Sequence, residues 1–427
     1  MKDTDPLPRF VRVRQNFPAG PALDRKQAVA AAFAKLRSRL QPGAKIAVGV
    51  GSRGITGLAE IVGAVVAELK AAGARPFIFP AMGSHGGATP EGQRGLLAGY
   101  GVTEAAMGVP VLASLDVVQV GQTEDQVPVF ASVEALAADG ILLVNRIKPH
   151  TDFQGDIGSG LLKMAVVGLG KRSGAAAMHL AASEFGHERA IRTMAGVLIR
   201  QSPLLGGFAI LENQFHDTAK IVAIPKEAMA TAEDALLVEA RRLMPLLPFD
   251  EIDLLIVDRI GKNISGTGMD PNVILRSIDG YSSLLRRDRR AAPFIRRIFV
   301  RDLTPETHGN AIGIGLADVT TTRLARAMDT RISFLNAMTA LTPQSAKLPV
   351  YFDTDREAIA RTLATLPLAR AEGARIVRIL DTLSLAELAV SEPLWELAQS
   401  QPALEAVGPP APAAFDAEGN LRPLFSP

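Results

Sequence analysis

Between Lys45 and Phe79 the spacing of the apolar residues changes twice, and this limits the fold more than any other feature of the chain. Lys45 to Gly51 is a short apolar run ending in glycine. Leu58 to Ala72 then carries Leu58, Ile61, Val62, Val65, Val66 and Leu69 at helical spacing, and Pro76 to Phe79 is the next short run. Strand, helix and strand in that order predict a βαβ unit, which requires parallel strands. Gly140 to Asn145 reads Gly-Ile-Leu-Leu-Val-Asn, the unbroken apolar pattern of a strand covered on both faces. His150 falls just beyond its carboxyl end, the edge at which open α/β sheets bind ligands.

At 427 residues the chain exceeds what one hydrophobic core usually serves, so two domains are expected. The helical pattern of Glu227 to Met244 stops at Pro245, and Pro248-Phe249-Asp250-Glu251 precedes a new apolar run, Asp253 to Asp258. These signals divide the chain into 1–245 and 246–427, two α/β domains with a site expected in the cleft between them. Gly207 to Leu211 and Lys220 to Ile224 flank Asn213-Gln214-Phe215-His216-Asp217, which predicts a hairpin with His216 as a turn residue. Gln401 to Pro427, containing Gly408-Pro409-Pro410-Ala411-Pro412, reads as an irregular arm.

Composition removes several function classes. The 46 basic and 44 acidic residues leave a formal charge of only +2, which gives no electrostatic footprint for nucleic acid and favours a small-molecule partner. Without cysteine there are no disulfides, thiolate metal sites or cysteine nucleophiles, so a transition metal must rely on histidine, carboxylate or sulfur brought by a cofactor. The charged start Met1-Lys2-Asp3-Thr4-Asp5 is unlike a signal peptide, and the uncharged run Ile332 to Ala346 is too short to span a bilayer. A cytoplasmic protein without a membrane partner is expected.

Six histidines occur in the chain; two lie in Gly83-Ser84-His85-Gly86-Gly87 and Lys148-Pro149-His150-Thr151-Asp152, and a third, His179, follows Lys163 in a Gly-rich segment. Histidine accepts or donates a proton near neutral pH, and the surrounding glycines let a ligand approach the backbone. Two nucleotide-binding patterns are partly present. Gly49-Val50-Gly51-Ser52-Arg53-Gly54 satisfies G-x-G-x-x-G after a strand, but the next strand ends at Phe79-Pro80 without the acidic residue that holds a ribose. Gly168-Leu169-Gly170-Lys171-Arg172 imitates the end of a P-loop, yet Ala165 stands where its first glycine belongs and Arg172 where a magnesium-binding hydroxyl belongs.

Taken together, Gly51-Ser52-Arg53-Gly54, Gly83-Ser84-His85 with Glu91 after it, and Pro149-His150 followed by a Gly-rich loop, Lys163 and His179 resemble the nickel-pincer-dependent lactate racemases and their homologues. The likeness covers about residues 40 to 200, with intervals of 32, 65, 13 and 16 residues from Arg53 through His85, His150 and Lys163 to His179. It implies a nickel-pincer nucleotide, Ni pyridinium-3,5-bisthiocarboxylic acid mononucleotide, joined to Lys163 with His179 on the metal. It also implies cofactor-synthesis proteins as partners and a 2-hydroxy acid as substrate. His85 and His150 would be the acid–base pair that serves the two enantiomers, while hydride passes transiently to the cofactor.

The residues themselves suit some of these roles. Lys163 lies among Gly160-Leu161-Leu162 and Met164-Ala165-Val166-Val167, a poor setting for a solvated lysine. His179, between Ala177-Met178 and Leu180-Ala181, reads by itself as a core histidine. Arg53, at a strand's carboxyl end beside Ser52, suits a bidentate carboxylate clamp. Gly158, Ser159 and Gly160 open the helix that bears Lys163 and could cradle the cofactor phosphate. Where lactate racemases carry an acidic residue shortly before this arginine, the chain has Val50 and Gly51, so the preferred side chain need not be lactate's methyl. Farther on, the polar Gly-rich stretch after Asp258 offers Lys262, Asn263 and Asp270 as substrate contacts, in addition to Ser52. An NAD(P)-dependent oxidoreductase using Gly49 to Gly54, a non-catalytic hydroxy-acid binding protein, and another redox step on a hydroxy acid are the alternative readings.

Overall fold

The computed structural model describes residues 7–18, 20, 22–51, 54–83, 85–151, 153–276 and 293–424. The chain divides into an N-terminal unit, Ala19–Met244, and a C-terminal unit, Pro245–Pro427, to which Met1–Pro18 also belongs. The start of the chain thus departs from the expected division. Strand β1 (Phe10–Gln15) pairs antiparallel with Glu387–Ser391 on one side and Leu404–Ala406 on the other. With both edges hydrogen-bonded and Val11 and Val13 buried, it is an interior strand of the C-terminal sheet, and hydropathy alone could not say which sheet it would enter.

The N-terminal unit is built on five strands: β2 (Lys45–Val50), β3 (Arg75–Pro80), β6 (Gly140–Arg146), β7 (Leu204–Glu212) and β8 (Thr218–Pro225). Their order is β3-β2-β6-β7-β8, parallel except for the β7–β8 hairpin. The expected βαβ unit is present, with α2 spanning Leu58–Ala71; α3 (Pro90–Gly99), α4 (Glu104–Met107) and α5 (Val133–Leu136) come before β6, and α8 (His187–Gln201) comes before β7. Successive residues of β6 enter opposite clusters: Ile141 and Leu143 pack below the sheet, Leu142 and Val144 above it. One face is covered by α1 (Arg25–Arg37) and α2, the other by helices following β6 and by the hairpin of β4 (Val117–Gln122) and β5 (Pro128–Ser132). Burial on both faces is the physical reason these strands carry no polar alternation.

In the C-terminal unit, eight strands among the described residues form one mixed sheet whose parallel part includes Glu251–Ile260 and Phe294–Leu303. The described residues from 401 to 424 are not a free arm. Leu404–Ala406 joins the sheet, Ala411 bridges Phe10, and Leu421 is buried against Phe415 and Phe10. No helix among the described residues is long and apolar enough to cross a membrane.

Candidate functional site

The carboxyl ends of three neighbouring parallel strands set the site. Val50 at the end of β2 lies opposite Pro80 at the end of β3 and Val144 near the end of β6, so the loops that follow leave from one edge. Ser52 and Arg53 follow β2 in the sequence, the loop with His85 follows β3, and Lys148 to His150 follows β6. Ser52 and Arg53 themselves lie outside the described residues.

The described parts of these segments pack on one helical segment. Helix α6 (Leu161–Lys163) runs into a wide π-helical turn, Met164–Leu169, and then into α7 (Lys171–Phe185); such widened turns concentrate at functional positions. Gly51 faces Asn145 Oδ1 and Met164, and Gly83 faces Val167 so closely that a Cβ there would stand 2.8 Å from its methyl. Gly51, just past β2, and the start of the His85 loop therefore both abut the turn of helix that begins at Lys163. Gln93 is fully buried and secures the His85 loop, its amide donating to Gly83 O at 2.9 Å and to His85 O at 3.3 Å.

Lys163, half-buried, brings its Nζ into direct contact with His150 Nε2. A hydrogen bond between an amine and an imidazole nitrogen needs a lone pair on one of them. His150 stacks on Phe153 (4.4 Å between centroids, 22°), and Phe153 in turn stacks on His187 (4.7 Å, 9°). Asn145 Nδ2 donates to Gly160 O at 2.9 Å, fixing the approach to α6.

At the start of α6 the structure differs from a free anion cradle. Glu233, wholly buried on helix α9 (Met229–Arg242), accepts from Leu162 N at 2.9 Å, and a Cβ on Gly160 would collide with its carboxylate. Ser159 exchanges backbone hydrogen bonds with Lys148, and Gly158 lies against Lys148 O. Burial pushes the Glu233 carboxyl up to about 7, against the pull of the Leu162 and Leu161 amides. The helix-start amides are thus met by a side chain of the protein.

Lys171 explains the imitation P-loop. It is fully buried at the junction of the π turn and α7 with φ +50°, donating to Pro80 O and lying 3.5 Å from Glu134 and over the Phe79 ring. Burial lowers the Lys171 ammonium and raises the Glu134 carboxyl, each partly opposed by the other's charge. The lysine ties the end of β3, and so the base of the His85 loop, to the segment bearing Lys163. Gly49, in the dinucleotide-like pattern, packs against Phe79 and Leu143, and α2 begins only at Leu58 with Arg25 against its cap, Gly57.

His179 is half-buried on α7, two turns beyond Lys171. Lys262, Asn263 and Asp270 belong to the C-terminal unit, where each has an internal partner. Lys262 Nζ donates to Asn336 at 2.6 Å, Asn263 accepts from Thr304 at 2.6 Å, and Asp270 caps Pro271–Ile274 through Asn272 N. Sequence reasoning missed Asn145, Phe153, His187 and Glu233. Only His187 had a local signal, its place directly after Gly186 at a helix start. Among the described residues no group of three or more His, Asp or Glu gathers to hold a metal ion.

No family model matches the sequence, and no curated protein does. Among solved structures, the lactate racemase apoprotein from Thermoanaerobacterium thermosaccharolyticum matches over 88% of this chain and 99% of its own, at 11% identity and a TM-score of 0.54. A Thermotoga maritima protein solved by a structural genomics consortium covers 77% of this chain and 84% of its own, at 13% identity and a TM-score of 0.48. The chain therefore has the α/β fold of the lactate racemase apoprotein.

Proposed function

We propose that this protein is a racemase or epimerase of a 2-hydroxy acid that works with a nickel-pincer nucleotide tethered to Lys163. The observation that carries the reading is the contact of Lys163 Nζ with His150 Nε2 at the carboxyl edge of the sheet, on a helical segment against which the His85 loop packs. The fold shared with the lactate racemase apoprotein supports it. The donor set suits the group: Lys163 is a half-buried amine among apolar neighbours, and His179 is an imidazole on the helix continuing from the same turn. Nickel accepts imidazole, and the sulfur this cysteine-free chain lacks comes with the nucleotide. When bound, that nucleotide supplies an acceptor for the hydride at C2.

The chain's own part is binding and proton transfer. His85 and His150 follow the two strands that flank β2, an arrangement suited to acting on opposite enantiomers. One imidazole takes the hydroxyl proton as C2 becomes planar, and the other does so for the mirror form. Arg53, which follows β2 in the sequence, is the proposed carboxylate clamp. The test uses single enantiomers deuterated at C2, followed by chiral chromatography and mass spectrometry. Racemisation with deuterium retained is expected; complete exchange of that deuterium with solvent would mean proton abstraction at carbon and end this reading.

A further inference from the structure

We infer that the preferred substrate is a 2-hydroxy acid with an uncharged aromatic side chain, received in a groove next to His150; this rests on the racemase reading above. The groove has a volume of about 700 Å³ and is lined by Phe153, Gln154, Phe185, His187, Arg192 and Thr193, among others. It adjoins the candidate catalytic imidazole through one shared residue. Phe153, which stacks directly on His150, forms part of its wall, and the His187 ring centroid is only 6.3 Å from that of His150. The three centroid spacings of 4.4, 4.7 and 6.3 Å put Phe153 at the corner of a nearly right-angled triangle of rings. A substrate whose hydroxyl reaches His150 can therefore lay its side chain across Phe153 into the groove.

The chemistry of the walls selects the side chain. Phe153 and His187 stack on each other within 9° of parallel and, with Phe185, bring aromatic surface to the groove wall, against which a further ring packs in offset or edge-on contact. The two arginines do not make the groove a site for a second acid group. Arg192 is held at 2.8 Å by both Glu188 and Asp234, and Arg189 at 2.6 Å by Asp125 while its guanidinium covers Phe185. With those charges balanced, a carboxylate tail gains little there, whereas an aryl group buries apolar surface. A methyl group leaves the groove unused.

The experiment compares 3-phenyl-2-hydroxypropanoate, lactate and 2-hydroxysuccinate on the full cofactor-loaded chain, measuring kcat/KM by chiral chromatography and affinity by calorimetry. Gln154→Trp and Thr193→Trp serve as groove-filling variants. Gln154 is exposed and Thr193 half-buried, so two different positions guard against one variant failing to fold. The aryl acid is expected to exceed both others by about tenfold or more, the scale on which apolar pockets discriminate. Each variant should remove that advantage in both kcat/KM and affinity while leaving lactate within about twofold, since a methyl reaches no filled space. Equal handling of aryl acid and lactate, a preference for 2-hydroxysuccinate, or an aryl preference that survives both variants would overturn the inference while the racemase reading stands. Tight aryl binding that the variants abolish, with no turnover of any acid, would keep the groove and sink the racemase reading.

Discussion

Replacing Glu233 with glutamine should change how the stability of the N-terminal unit depends on pH. Glu233 is buried on α9 with one oxygen on Leu162 N and the other, Oε1, without a partner among the described residues. Its carboxyl is raised from 4.5 to about 7 by burial. An acid raised in the folded state keeps its proton while the unfolded chain releases it, so its contribution is intact below about pH 4.5 and is lost as pH rises to about 7. A shift of this size corresponds to roughly 3 kcal/mol in full, of which about 2 kcal/mol falls between pH 5 and pH 8. Glutamine does not titrate, yet its carbonyl can still accept from Leu162 N. Relative to the wild type, Glu233→Gln should therefore gain about 2 kcal/mol between pH 5 and pH 8, whatever constant offset its buried amide adds. The single tryptophan, Trp395, lies in the C-terminal unit, so fluorescence reports the wrong part of the chain. Hydrogen exchange of peptides covering Gly140–Arg146 and Leu161–Leu169, corrected for intrinsic rates, reads the relevant opening free energy. Parallel pH profiles for the two proteins would refute the reasoning.

The Lys171–Glu134 pair predicts non-additive mutations. Lys171→Met should cost about 3 kcal/mol or more by leaving Glu134 buried alone, and Lys171→Met with Glu134→Gln should recover much of that in denaturant unfolding, whereas strict additivity would mean the pair is not coupled. Protein made together with the cofactor-synthesis proteins should be heavier by one pyridinium nucleotide, and Lys163→Ala should abolish the adduct. His179→Ala should keep the adduct and lose nickel, as metal analysis would show; an adduct mapped to Lys171, which is fully buried, would contradict the site. His85→Ala and His150→Ala should each lower turnover by about 100- to 10,000-fold with cofactor content retained, and loss of cofactor would make that histidine part of the scaffold.

Much of the architecture was legible because hydrophobic period records burial. The runs at Lys45, Pro76 and Gly140 became β2, β3 and β6, and the helical spacing from Leu58 became α2. The hairpin around Asn213 to Asp217 formed with His216 at φ +62°, as its turn chemistry required. That His85 and His150 follow the carboxyl ends of strands was readable for the same reason. The fate of the N- and C-terminal segments was not, since a short apolar alternation fits any open sheet edge and only the completed sheet offers one.

The sequence by itself determined the alternation of strands and helices, the exclusion of thiol chemistry, and the order of Arg53, His85, His150, Lys163 and His179 along the chain. Tertiary structure decided which groups meet. Glu233 reaches Leu162 across 71 residues and Lys171 reaches Pro80 across 91, and neither pairing leaves a local trace. Their partners are fixed by sheet order and helix packing. A buried polar group must find its hydrogen bonds wherever the fold brings a donor or acceptor, and periodicity says that a face is buried without saying what will lie against it.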